Sequence, residues 1–187
     1  LRQHGALEIK RARDEEERAR FWSGRKNAFP AVGRLSPDYY CMDGTIPRKA
    51  LAHVLQKINA LAEKYRLRVA NVFHAGDGNL HPLILYDAGV EGEFDRAEEF
   101  GGEILDLCIE VGGTITGEHG VGLEKVDRMC VQFSDPELEQ FRAIRRTLDP
   151  DGLLNPGKAI PTLVRCAEFG KMHVHHCQLP HPELERF

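Results

Sequence analysis

Two histidines bracket the segment His74-Ala75-Gly76-Asp77-Gly78-Asn79-Leu80-His81, and a second charged constellation, Gly117-Glu118-His119-Gly120, follows later in the chain. Two imidazoles and a carboxylate (His74, His81 and Glu118) form a donor set suited to a divalent transition metal, with a fourth position left open for a substrate oxygen. Nitrogen donors favour zinc or manganese over magnesium or calcium, which prefer oxygen shells. His119, beside the carboxylate, adds an imidazole that can accept a proton while neutral. Plainer readings stand beside these. Asp77-Gly78 is also a simple hairpin turn with two polar edge histidines, and Glu118-His119 also reads as an exposed helix start.

Positioning such groups needs a scaffold, and the hydrophobic period supplies one. Residues 11–27 are rich in Asp, Glu, Arg and Ala and then reach Phe21 and Trp22, which predicts an exposed helix whose C-terminal end docks. Tyr39 to Ile46 reads as a short strand bent at Asp43-Gly44. Pro47 then opens a helix, with Leu51, Val54, Leu55, Ile58, Leu61, Ala62 and Tyr65 on its buried face. Arg68 to His74 and Leu80 to Tyr86 read as two strands joined by the glycine turn, where Gly76 and Gly78 can take positive φ. A second helix is expected over 91–111 with Phe94, Ala97, Gly101, Ile104, Cys108 and Val111 inward, followed by a strand at Thr114-Ile115-Thr116. Strand, helix, strand, strand, helix, strand is the order of an α+β, ferredoxin-like split βαβ fold: an antiparallel sheet with both helices on one face. In that order the last strand ends near the histidine hairpin. Neighbouring strand residues point to opposite faces, so Glu118 and His119 can share a site only if the backbone leaves strand geometry, which Gly117 and Gly120 permit. A third helix follows Ser134, with a capping box to Glu137 and an apolar stripe of Leu138, Phe141, Ile144 and Leu148.

Composition sets the outer limits. The chain has 187 residues, enough for one domain with a core, and its 42% hydrophobic content is that of a globular protein. A net charge of −4 gives no reason to expect nucleic acid as a partner. No apolar run approaches the ~20 residues of a membrane span, and no signal-peptide pattern is visible. The five cysteines are odd in number and form no CxxC pair, which favours a reducing compartment. A start at Leu1 in polar text reads as the interior of a longer chain. His173, His175, His176, Cys166 and Cys177 resemble a metal cluster but lie in a tail without helical or strand period.

Hydrolysis and alcohol oxidation both suit a His/His/Glu metal site. Four motifs in order, FWSGRKNAFP, HAGDGNLHP, TGEHGVGLEK and LDPDGLLNPGK, resemble the C-terminal domain of FAD-linked oxidases, within the vanillyl-alcohol-oxidase-like flavoproteins. The resemblance runs from about Phe21 to Phe187 and is strongest to glycolate oxidase flavin subunits, with D-lactate and D-2-hydroxyglutarate dehydrogenases as relatives. It implies an FAD-dependent 2-hydroxy-acid oxidoreductase whose FAD is bound mainly by a separate N-terminal domain. It also implies a small 2-hydroxy acid as substrate, other glycolate oxidase subunits as partners, and a cytoplasmic location or membrane association through those subunits. By the same resemblance His74, His81 and Glu118 match metal ligands, and His119 matches the general base. Arg25 matches the arginine that grips the substrate carboxylate, and Asn155 and Lys158 lie in a segment near the flavin. The implied reaction takes the hydroxyl proton onto His119 as hydride passes from C2 to flavin. Members specific for 2-hydroxyglutarate carry polar groups where this chain has Phe29, Cys41 and Leu83, which implies a small monocarboxylate. The organisation expected is a helical segment over 1–30, a ferredoxin-like cap and substrate domain over 31–133, a helix with the flavin-proximal segment over 134–160, and an irregular tail over 161–187. A metal-dependent hydrolase and a non-catalytic assembly domain are the alternatives; the latter expects Arg25 and His119 not to converge.

Overall fold

The structure, a computed structural model, describes residues 2–161. Its N-terminal helix α1 (Glu15–Lys26) starts where Asp14 accepts a hydrogen bond from the Glu17 backbone, and three glutamates in the first turn suit the positive end of the helix. No residue of α1 is buried, and Phe21 and Trp22 are 45% and 50% exposed, so among the described residues nothing buries this end as expected. Docking falls instead to the short α2 (Ala28–Val32), whose Val32 is buried.

The first expected strand is broken into β1 (Asp38–Cys41) and β2 (Gly44–Thr45). Met42 and Asp43 lie at the break, both almost wholly buried. A 3-10 turn over Arg48–Ala50 separates Pro47 from the helix it was expected to open, α3 (Leu51–Tyr65). That helix buries Val54 and Ile58 and ends on Arg66 in the left-handed region, with the Leu67 N–H reaching back to the Ala62 carbonyl. Strands β3 (Arg68–His74) and β4 (Asn79–Tyr86) follow, and then α4 (Glu93–Glu110), whose buried Ala97, Phe100, Ile104 and Cys108 recur at helical spacing. Phe94, expected on that stripe, is 43% exposed and packs edgewise on Tyr40 instead.

β4 is the centre of the sheet. β3 pairs with it antiparallel along its whole length on one side, while β1 and β2 pair with its two ends on the other. Thr114-Ile115-Thr116 is not a full strand: only Thr114 bridges, to Thr45, and the two threonine hydroxyls share a hydrogen bond of 2.7 Å. The order across the sheet is still that of the split βαβ arrangement, with the fourth strand shrunk to one bridge. The chain leaves the sheet there because its next N–H groups turn toward Asp43.

α3 and α4 pack on one face, where Val54, Ile58, Phe100 and Ile104 meet Leu80 and Ile84. Full burial of each such side chain contributes about 1.5–3 kcal/mol. The opposite face carries a smaller cluster of Leu83, Leu85 and Val32, joined by Phe29, Cys41, Ala70 and Val72. His81 shares this second face, because it alternates with Leu83 and Leu85 along β4. The helices therefore hold the sheet from behind while the histidine site opens on the other side.

A 3-10 turn over Val126–Arg128 and the short α5 (Met129–Gln132) also lay beyond the sequence pattern. Helix α6 (Asp135–Leu148) has the expected capping box, Glu137 accepting from both the backbone N–H and the hydroxyl of Ser134. Only Leu138 of its stripe is buried; Ile144 and Leu148 are exposed. Most of the 161–187 tail, with its His and Cys cluster, lies outside the described residues.

Candidate metal and proton-transfer site

The hairpin between β3 and β4 turns on His74, whose carbonyl accepts from the N–H groups of Asp77 and Gly78. Of the two expected glycines, Gly78 takes positive φ, at +78°, and its carbonyl accepts from Ile46. His74 and His81 thereby come together, with ring centroids 5.4 Å apart and planes nearly perpendicular.

Glu118 arrives from the far side. Its Oε1 lies 3.4 Å from His74 Nε2 and 3.6 Å from His81 Nε2. One ligand atom from each of the three residues lies within 4.8 Å of the others. Donors about 2.0–2.1 Å from a tetrahedral zinc stand about 3.3–3.4 Å from one another, so two of the three edges are near the length an ion would impose. His81 is oriented from behind: its Nδ1 lies 3.3 Å from the Met42 carbonyl, which can only accept. Nδ1 therefore carries the proton and Nε2 turns its lone pair toward the cluster. Asn79 donates to Glu118 Oε1 at 2.7 Å and steadies the carboxylate. Gly117 makes this possible, since a Cβ there would sit 2.4 Å from Asn79 Oδ1.

His119 joins the cluster through its ring, stacked on His81 with centroids 5.2 Å apart and planes 21° apart. Glu118 and His119 can share the site because 117–119 is neither strand nor helix. The segment wraps the carboxylate of Asp43, which accepts from the backbone N–H groups of Gly117, Glu118 and His119 and from the Thr116 hydroxyl. Burial alone would raise the Asp43 pKa; the hydrogen bonds from His119, Thr116, Gly117 and Glu118 outweigh it and hold the carboxyl well below the usual range. Lys125, 1% exposed, closes the arrangement with its Nζ 3.2 Å from Asp43 Oδ2 and 3.1 Å from the Asp43 carbonyl. Sequence reasoning placed Asp43 in a bend and gave Lys125 no part. A buried, paired lysine is rare, but nothing in the linear sequence marks one.

The remaining expected residues are distributed around this centre. Asn155, with φ of +45°, and Lys158 are exposed in a loop that α6 holds down: Arg145 donates to the carbonyls of Leu154, Asn155 and Lys158. The Ala159 N–H donates to the Gly122 carbonyl at 2.8 Å, which ties the loop to the chain three residues beyond His119. Arg25 stands apart. It is exposed on α1 with its guanidinium 5.5 Å from the Trp22 ring centroid, and among the described residues it makes no hydrogen bond to the histidine cluster. Cys41 does approach: its Sγ and one nitrogen each of His81 and His119 also lie within 4.8 Å of one another. Burial, with added repulsion from Glu124 and Asp43 and partial relief from Lys125, pushes the Cys41 thiol up to about 11. No helix among the described residues is long and apolar enough to cross a membrane.

Comparison with known proteins identifies the family of the chain. The family described as FAD linked oxidases, C-terminal domain, matches residues 1–159. The chain is 69% identical to the glycolate oxidase subunit GlcD of Escherichia coli over 98% of its own length and 37% of that protein's. It is 38% identical to the subunit of the same name from Bacillus subtilis, over 82% of this chain and 33% of the other. Against the mitochondrial D-lactate dehydrogenase [cytochrome] of Arabidopsis thaliana it is 31% identical, over 84% of this chain and 28% of the other. The chain thus spans about a third of the length of the curated relatives it matches. It belongs to the C-terminal domains of the FAD-linked oxidases.

Proposed function

We propose that this domain supplies the substrate-handling half of an FAD-dependent oxidoreductase acting on a small 2-hydroxy acid such as glycolate or D-lactate. The observation that carries the proposal is the convergence of His74, His81 and Glu118 with the His119 ring stacked against them, in a domain of this family. FAD, held mainly by a companion domain, supplies the two-electron acceptor, and a divalent cation held by His74, His81 and Glu118 supplies polarisation of a bound hydroxyl. Zinc or manganese suits two imidazoles and a carboxylate.

The chain's own residues then have defined tasks. The Met42 carbonyl fixes the proton of His81 on Nδ1 and leaves Nε2 to the cation. Asp43 holds the 117–119 backbone so that Glu118 and His119 both face the site. His119 accepts the hydroxyl proton. Asn155 and Lys158 face the flavin-bearing domain on a loop that Arg145 and Gly122 steady. Phe29, Cys41 and Leu83 pack in one cluster on the sheet face that His81 shares, and none of the three brings a charge, which favours a monocarboxylate over a dicarboxylate. Arg25 grips the substrate carboxylate once the companion domain covers α1, whose exposed Phe21 and Trp22 are otherwise without cover among the described residues. Family membership favours oxidation over the hydrolase alternative. A non-catalytic assembly domain would bring neither Arg25 nor His119 to the cluster; His119 stacks on His81, while Arg25 makes no hydrogen bond to the cluster among the described residues, so Arg25 needs its own test. Other subunits of a glycolate-oxidising assembly are proposed partners, with a cytoplasmic location or membrane association through those subunits.

Stopped-flow bleaching of the flavin in the full-length protein tests the proposal. Glycolate or D-lactate should reduce the flavin anaerobically, and chelation of divalent metal should slow that step and not reoxidation. A flavin that no small 2-hydroxy acid reduces would overturn the assignment.

A further inference from the structure

Cys41 ends β1 opposite Leu83, two residues along β4 from His81, and both side chains lie on the sheet face away from α3 and α4. The thiol's own hydrogen bond is weak, from Sγ to the Met42 carbonyl at 3.5 Å. Next to it stand two imidazoles, one buried (His81) and one exposed (His119), with ligand atoms already gathered within 4.8 Å. A sulphur with two imidazole nitrogens is a softer donor set than the two imidazoles and carboxylate beside it. We propose that Cys41, His81 and His119 form a second metal site, selective for thiophilic cations such as Cd²⁺, that overlaps the His74/His81/Glu118 set through His81.

Binding exchanges the S–H bond of Cys41 for a sulphur–metal bond, and the proton leaves to water; nothing is oxidised or reduced. Because the two sets share a histidine, a cation in one disturbs the other. A cation on His119 also occupies the ring that the proposed function uses as a base, so thiophilic metals should inhibit turnover; that consequence alone rests on the oxidoreductase assignment.

The test uses the full-length protein and cadmium alone, and reads binding rather than activity. The ultraviolet thiolate-to-cadmium charge-transfer band should rise to one equivalent, disappear in Cys41→Ser, and weaken in cadmium affinity at least tenfold in His119→Ala. His74→Ala removes a ligand of the first set only and should keep the band. As a second measurement on unmutated protein, cadmium should slow iodoacetamide alkylation of the half-buried Cys41, read by mass spectrometry, at least tenfold. The site is refuted if no band forms, if the band survives in Cys41→Ser, if His74→Ala abolishes it as completely as Cys41→Ser, or if cadmium leaves the alkylation of Cys41 unchanged.

Discussion

Replacing Asp43 with alanine should be the most damaging single change near the site, although Asp43 touches neither substrate nor metal. Two losses follow. The N–H groups of 117–119 lose their acceptor, but those residues are exposed and water takes over much of the bonding. Lys125 has no such recourse: at 1% exposure, its ammonium keeps only the Asp43 carbonyl, 3.1 Å away. Breaking a buried ion pair from one side costs about 3–5 kcal/mol, a large share of the ~5–15 kcal/mol that stabilises an ordinary domain. The pair is asymmetric. Lys125→Met leaves Asp43 with its backbone and Thr116 donors, so it should cost less, about 1–3 kcal/mol. Asp43→Ala/Lys125→Met should then be more stable than Asp43→Ala alone, a coupling typical of residues in contact. Hydrogen-exchange mass spectrometry of the full-length protein, over peptides covering 38–45 and 114–120, reads these changes locally; 3–5 kcal/mol is about a hundred- to a few-thousand-fold in protection. Metal affinity should also fall about 10–100-fold, because Glu118 loses its support. The depressed carboxyl adds a pH signature. Its stabilisation is fully present above the unfolded pKa and is lost as pH falls toward the folded one, so acid should narrow the gap between wild type and Asp43→Ala. A loss below about 1 kcal/mol, within the range of a surface change, would refute the argument; so would a Lys125→Met variant less stable than Asp43→Ala.

Four further outcomes follow from the same geometry. His119→Asn should keep metal and fold while slowing flavin reduction about 10²–10⁴-fold, leaving reoxidation by an acceptor untouched; reduction at the wild-type rate would move the base elsewhere. Arg25→Lys should raise KM for hydroxy acids by about 1.5–3 kcal/mol in binding, because a two-armed fork becomes a point charge; an unchanged kcat/KM with every acid tried would favour the assembly reading. Gly117→Ala should push Asn79 away from Glu118, its Cβ being placed 2.4 Å from Asn79 Oδ1, and equilibrium dialysis should show weaker metal binding with little change in substrate-independent flavin content. Arg145→Met should loosen the 154–158 loop that it pins by three carbonyls, visible as faster proteolysis there.

What could be seen from the sequence divides along a physical line. α3 and α4 were legible because each carries apolar residues at helical spacing, β3 because its run is rich in β-formers, and β4, buried on both faces, because a glycine-marked hairpin must return the chain and bring the two histidines to one place. The strand at Thr114-Ile115-Thr116 was expected from β-branched residues, yet propensity lost there to a competing acceptor: the Asp43 carboxylate draws off the N–H groups of 117–119 and ends the pairing after one bridge. Ile144 and Leu148 fit an apolar stripe and Phe21 and Trp22 were expected to dock, yet all four are exposed, because hydrophobic pattern says that a face seeks cover, not that the same chain provides it. Asp43 and Lys125 were invisible for a different reason. They lie 82 residues apart and matter only as a pair, and a buried charge is intelligible only once its partner is in place. Yet that pair explains the one step the sequence left open, how neighbouring residues Glu118 and His119 serve a single site. A buried carboxylate that gathers three successive N–H groups takes the backbone out of strand geometry and turns both side chains to the same side. The metal ligand and the base are thus presented together by a residue that does neither job, which is why its removal is the sharpest test of the site as a whole.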